Sequence, residues 1–201
     1  MTSARILYLH GFRSSPDSFK GRLMAQAMQA RGLTRQWSGP QLPASPAEAA
    51  ALITAEAARL LGPDGDPADL TVIGSSLGGY YATWAAERLG CKAVLLNPAV
   101  HAARDLATQV GEHRMYHSDA PFIFRPEYVD ELKALDVAEI TRPDRYFLIA
   151  ATGDEVLDWR EMRDRFRACR QRIIEGSDHG LSDFADHLDE VLDFALASPH
   201  R

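Results

Sequence analysis

A chain of 201 residues, 46% apolar and 25% charged, can bury one well-packed core. A net charge of −6, with every basic cluster interleaved with acids, argues against a general nucleic-acid binder. No apolar run nears the about 18 residues of a membrane span, residues 6–9 are too short for a signal-peptide core, and Cys91 and Cys169 make neither disulfide framework nor metal quartet, so a reduced cytoplasmic protein is expected.

In chain order, Arg5–Leu9 (RILYL) reads as a strand running into the loop His10-Gly11-Phe12-Arg13-Ser14-Ser15-Pro16. A helix is expected over 17–30, with Phe19, Leu23, Met24 and Ala27 on one face and Gly32 as its stop. Residues 33–37 are a weaker strand candidate before the Gly39-Pro40 breaker, and 44–61 form an alanine-rich helix ending at Gly62-Pro63. The run Leu70, Val72, Ile73 predicts a buried strand, and Leu77–Leu89 predicts a helix stopped by Gly90. Further strands are expected at 93–96, 146–151 and 172–174, with helices at 126–135, 159–170 and 181–197. Strands alternating with helices imply about six mostly parallel strands with helices on both faces, in one α/β domain. The stretch 99–125 breaks this regularity. It is long and irregular, carries Met115, Tyr116, Phe122, Ile123 and Phe124 around Pro121, and reads either as a pocket wall or lid or as an excursion packed on the core.

Between the strand at Leu70 and the helix at Leu77 lies Gly74-Ser75-Ser76-Leu77-Gly78, a G-x-S-x-G at a strand-to-helix corner. Such a corner strains its central residue, and flanking glycines remove the Cβ atoms that would clash. Ser76 is thereby lifted above the sheet at the positive end of a helix, where a base can reach it. In this arrangement the acid and then the base follow the serine. Asp154 stands just past the strand at 146–151, and His179 lies on the glycine-flanked loop Gly176-Ser177-Asp178-His179-Gly180 after the last strand. Asp158, at the expected start of a helix, and Asp178, next to the histidine, compete as the acid, with Asp154 preferred. The oxyanion hole is expected from the backbone N–H groups of Phe12 and Leu77, with Gly11 permitting close approach. His10 precedes the serine, the wrong order for the base, and is expected to support the first loop beside the pocket. His101, His113, His117, His187 and His200 read as solvated or structural. The arginine-dense run 158–172 reads as a packed face of Trp159, Met162, Phe166 and Cys169 under a solvated side.

With these residues placed, the chain resembles the small bacterial α/β-hydrolases of the YqiA/YcfP esterase family along nearly its whole length. The likeness runs through LYLHGF-x-SSP at 7–16, PQLP at 40–43, GSSLGGYYATW at 74–84, NPAV at 97–100, TGDEVLD at 152–158 and CRQ…IEG…H at 169–179. It implies a carboxylesterase or thioesterase with a Ser76, Asp154, His179 triad, acting on small acyl esters without metal or organic cofactor. The departures, in 99–125 and at Ser177-Asp178, surround the acyl-binding region, where Phe122 and Phe124 are the expected pocket residues. The alternatives are a non-catalytic binding protein on the same scaffold and a serine hydrolase of another substrate class, a peptidase or C–C hydrolase. Neither physiological substrate nor oligomeric state is legible.

Overall fold

The computed structural model describes residues 4–116 and 118–197; His117 and His200 lie outside them. The elements in order are β1 (Arg5–Leu9), α1 (Phe19–Ala30), β2 (Trp37–Ser38), α2 (Pro46–Leu61), β3 (Leu70–Ser75), α3 (Leu77–Leu89), β4 (Lys92–Leu96), α4 (Ala102–Leu106), β5 (Gly111–Arg114), β6 (Pro121–Phe124), α5 (Glu127–Ala134), β7 (Tyr146–Ala151), α6 (Trp159–Arg165), β8 (Arg170–Ile174) and α7 (Phe184–Leu196). Six of the strands form one parallel sheet in the order β2-β1-β3-β4-β7-β8.

Strand periodicity divides the core into two layers. Leu7, Leu9, Val72, Leu95 and Leu148 face a cluster that also holds Ala49, Ile53, Tyr81 and Ala85 from α2 and α3. Ile6, Tyr8, Ile73, Val94, Phe147 and Ile149 face the opposite side, against Met24 and Met28 of α1 and Val191 and Leu192 of α7. Every residue of β3 and of β7 is buried, as befits interior parallel strands covered on both faces. The two strands therefore end, one at Ser76 and the other near Asp154, along the same edge of the sheet.

Several sequence expectations shift. α1 begins at Phe19 rather than 17, because Ser18 is its cap and accepts from Gly21 N–H at 3.3 Å. Its buried residues are Lys20, Gly21, Met24 and Met28, and Phe19 is largely exposed, so the helix is turned by about one position from the expected face. In the weak strand candidate, residues 34–36 form a 3₁₀ turn and only Trp37 joins the sheet, opposite Ile6. α6 stops at Arg165 rather than 170, because Arg170 pairs with Phe147 at the sheet edge and begins β8 two residues early.

The stretch 99–125 is more regular than its sequence suggests. It contains α4 and an antiparallel hairpin in which Glu112 faces Ile123 and His113 faces Phe122. Four-residue strands that pair chiefly with each other leave too short a pattern to read in advance.

Candidate active site

Ser76 occupies the corner between β3 and α3 with φ 55° and ψ −120°, a region L-residues rarely enter. The flanking glycines make the corner possible by close approach: a Cβ on Gly74 would lie 2.0 Å from Gly78 O, and one on Gly78 would lie 2.0 Å from Leu9 O. Three main-chain bonds hold the corner. Ser76 N–H donates to Leu96 O at 3.0 Å, and Ser76 O accepts from Gly79 at 2.9 Å and Ala99 at 3.0 Å.

Ser76 Oγ lies 3.1 Å from His179 Nε2, and His179 Nδ1 lies 2.8 Å from Asp154 Oδ2. The Asp154 side chain is entirely buried, whereas the imidazole keeps a fifth of its surface exposed. The other carboxylate oxygen of Asp154 accepts from Val156 N–H and Leu157 N–H, both at 2.8 Å. An ionised carboxylate is an acceptor only, so Nδ1 carries the proton and Nε2 is left to accept from the serine hydroxyl. Glu155 Oε2 takes His179 N–H at 2.9 Å and ties the acid loop to the base loop a second time. Of the three competing aspartates, Asp154 meets the imidazole. Asp158 caps α6 by accepting from Arg160 N–H at 2.9 Å, and Asp178 accepts from Ser182 N–H at 2.9 Å.

The segments that carry the expected oxyanion donors both run beside the serine. Leu77 opens the 13-residue helix α3, so its N–H has no intrahelical acceptor. A Cβ on Gly11 would stand 3.1 Å from Ser76 Cβ and 3.6 Å from its Oγ, so the first loop passes against the serine one residue before Phe12.

A small, open cleft lies beside this loop, lined by residues that include His10, Phe12, Leu42, Leu77, Tyr81 and Phe122. His10 is buried with both ring nitrogens engaged: Nδ1 donates to Gly11 O at 2.9 Å and Nε2 accepts from Leu42 N–H at 2.9 Å. It fixes the loop. Phe122 meets Phe12 edge-on at 5.1 Å. Phe124, expected at the pocket, is only 1% exposed and sits in the core between Phe12 and Tyr128. As the residue two places along the same strand, it shares a face with Phe122 but lies deeper under it.

His113 donates to Gln109 O at 2.6 Å with its ring edge-on to Phe12, and His187 lies 3.5 Å from Asp183. The arginine-dense run spends its charge on neighbours, with Arg170 and Arg172 on Glu190 and Arg163 on Asp164. Among the described residues no cluster of His, Cys, Asp or Glu could hold a metal, and no helix is long and apolar enough to cross a membrane.

Two side chains at the site were not singled out from sequence. Asn97, at the end of β4, is fully buried, and Lys20 is buried on α1. The signal for Lys20 was present: with Met24 and Met28 it falls at four-residue spacing, the buried stripe of the helix.

The sheet order, the strained serine corner and the loops gathered at one sheet edge define the α/β-hydrolase fold. The chain belongs to the Uncharacterised protein family (UPF0227), whose model it matches over residues 5–196. Among solved structures it is similar to one of the metagenome-derived lipolytic enzymes LipS and LipT, at a TM-score of 0.72 and 18% identity, covering 96% of this chain and 94% of that one. A monoacylglycerol lipase from Paleococcus ferrophilus superposes at a TM-score of 0.65 with 14% identity over 95% of this chain and 93% of that one. Est1E from Butyrivibrio proteoclasticus, with ferulic acid bound, gives 0.63 and 14% over 96% and 86%.

Proposed function

We propose that this protein is a serine hydrolase that cleaves carboxylic esters or thioesters of small acyl substrates through an acyl-enzyme. The observation that carries the reading is the unbroken chain from Ser76 Oγ to His179 at 3.1 Å and from His179 to the buried Asp154 at 2.8 Å, set on a strained corner. Ser76 Oγ attacks the acyl carbonyl while His179 Nε2 takes its proton, and Asp154 holds the imidazole and stabilises the imidazolium. The N–H groups of Phe12 and Leu77 receive the developing oxyanion. Nε2 then protonates the departing alkoxide or thiolate, and a water deprotonated by the same nitrogen releases the acid. No step calls for a metal or organic cofactor.

The cleft lined by Phe12, Leu42 and Phe122 is the candidate acyl site, and the hairpin within 99–125 is its wall, an insertion in one α/β-hydrolase domain. The lipolytic enzymes among the fold neighbours support ester chemistry over amide or C–C cleavage. Reduced cysteines and a soluble cytoplasmic setting suit the same reading, since Cys91 is buried and both thiols are free.

Labelling with a fluorophosphonate probe, together with hydrolysis rates over a panel of oxygen esters, thioesters and amides, tests the proposal. Wild type and Ser75→Ala should label and turn over esters, and Ser76→Ala should do neither. A dead Ser75→Ala beside an active Ser76→Ala would reassign the nucleophile, and an unlabelled, inactive wild type would overturn the reading.

A further inference from the structure

The loop that carries His179 is held partly by its own bonds, Leu181 N–H to Asp178 O at 3.0 Å and Ser182 N–H to the Asp178 carboxylate at 2.9 Å. Gly176 (φ 73°), Ser177 (φ 58°) and Leu181 (φ 50°) all lie in the left-handed region within six residues. Two of them are not glycine, so the conformation needs the support of the contacts around it.

From outside the loop, Glu155 takes His179 N–H at 2.9 Å and Thr152 Oγ1 takes Gly176 N–H at 2.8 Å, and two further side chains hold three consecutive carbonyls. Asn97 Nδ2 donates to Asp178 O at 3.0 Å and to His179 O at 3.1 Å, and Lys20 Nζ donates to Gly180 O. The donors reach the loop from different elements, Lys20 from α1 and Asn97 from the end of β4. Both donors are buried, so a donor left without its carbonyl would carry a desolvation cost.

Asn97 does more than hold the loop. Its Oδ1 accepts Ala151 N–H at 2.8 Å, three residues before Asp154, and its own N–H donates to Ile149 O at 2.9 Å. The preceding carbonyl, Leu96 O, receives Ser76 N–H at 3.0 Å. One buried amide therefore bridges the strand that delivers the acid and the loop that delivers the base, beside the main chain that anchors the serine. Its φ of 42° is one that asparagine tolerates better than most residues. Only a side chain with both a donor and an acceptor can make this set of bonds, which neither an aspartate nor an aliphatic residue supplies.

We infer that Asn97 and Lys20 are positioning residues that clamp the three carbonyls around His179, so that its ring spans from Asp154 to Ser76. The inference rests on the hydrolase reading above. It goes beyond that reading by assigning the alignment of the triad to two side chains that touch none of its three functional groups.

The test compares wild type with Asn97→Asp, Lys20→Met and Lys20→Arg. Asn97→Asp keeps the shape and the acceptor for Ala151 but turns a carboxylate oxygen toward two carbonyls. Two readouts are taken on folded protein: kcat and KM for an ester, and the downfield proton resonance of the His179 Nδ1–H···Asp154 bond. Asn97→Asp should lower kcat by about 10- to 100-fold with KM changed by no more than about 3-fold, and should shift or broaden the resonance. Lys20→Met should move both readouts in the same direction, and Lys20→Arg should restore part of the loss. Folded variants with wild-type kcat and an unmoved resonance would overturn the clamp. Should Asn97→Asp not fold, Asn97→Gly, which accepts the left-handed backbone, and Lys20→Met decide on the same readouts. A wild type inactive on every ester would sink the hydrolase reading instead, and the resonance alone would then judge the clamp.

Discussion

Phe12 and Phe122 meet edge to face with ring centroids 5.1 Å apart, joining the loop beside Ser76 to the β5–β6 hairpin. The same Phe12 carries a backbone N–H proposed for the oxyanion hole, so the wall of the cleft and the proposed electrostatic machinery share one residue. Arg13 strengthens the junction: it donates to Arg114 O at 2.8 Å, its carbonyl accepts Tyr116 N–H at 2.8 Å, and its guanidinium lies over the Tyr116 ring.

Phe122→Ala is expected to change the preference between short and medium acyl chains while costing only about 1 kcal/mol for the lost ring contact. Phe124→Ala is a different experiment. Its ring is fully in the core, so the truncation should cost about 3–5 kcal/mol and confound any specificity measurement. Melting temperatures and rates over an acyl-length series separate the two; unchanged preference in a stable Phe122→Ala would remove the hairpin from the pocket.

Asp154→Asn should lower kcat on the order of 10⁴-fold, the cost of a wrong imidazole tautomer in serine proteases. Asp158→Asn should keep most of kcat and lose about 1 kcal/mol or less, since asparagine also caps a helix. Asp178→Asn should change kcat little, because its carboxylate serves Ser182 N–H rather than the ring. Kinetics and melts on the three asparagine variants check this, and a folded, fully active Asp154→Asn would dismiss the acid assignment.

The glycines near Ser76 should differ sharply. Gly78→Ala places a Cβ 2.0 Å from Leu9 O, a backbone clash that no rotamer relieves, and is expected to yield no folded protein. Gly11→Ala places its Cβ 3.1 Å from Ser76 Cβ, a contact the loop can absorb by a few tenths of an ångström. That variant should fold and lose about 10-fold or more in kcat, because it crowds the nucleophile. Circular dichroism of both and ester kinetics of the second give the comparison.

Burial lowers the Lys20 ammonium from its usual 10.5 to about 8, partly offset by the negative charges of Asp178 and Asp154. Below about pH 8 the folded protein carries the full cost of that buried charge. Between pH 8 and 10.5 the unfolded chain binds a proton that the folded one has released, so stability rises with pH there. Wild type should therefore gain stability relative to Lys20→Met across this window, by an amount of the order of 3 kcal/mol. Denaturant midpoints of both proteins at pH 7, 9 and 10.5 measure it; parallel curves would mean that Lys20 stays charged throughout.

What was legible in the sequence depended on how local its cause was. The corner at Ser76 is readable because two glycines within five residues answer a backbone clash between neighbours, β3 because of its short apolar run Leu70, Val72, Ile73, and β7 because of its apolar run YFLIAA. Asp154 and His179 follow from their positions just past strand ends. Asn97 was opaque because its partners lie 54, 81 and 82 residues away, and nothing beside it in the chain announces a buried amide. Lys20 was hidden by a face assignment one position off, which left Phe19 in the core on paper and in solvent in the fold. The hairpin escaped because Gly111–Arg114 has little strand propensity of its own and Pro121–Phe124 is too short a run to read without its partner.

Among the described residues, β5 and β6 form a two-stranded sheet of their own, apart from the six-stranded one. Insertions, deletions or exchanges in that hairpin therefore cannot slip the register of the parallel sheet, where a shift of one residue would turn every side chain to the wrong face. If the hairpin walls the acyl site as proposed, one transplanted from a relative, with its Phe122 equivalent kept against Phe12, would carry a new substrate preference onto an unaltered serine.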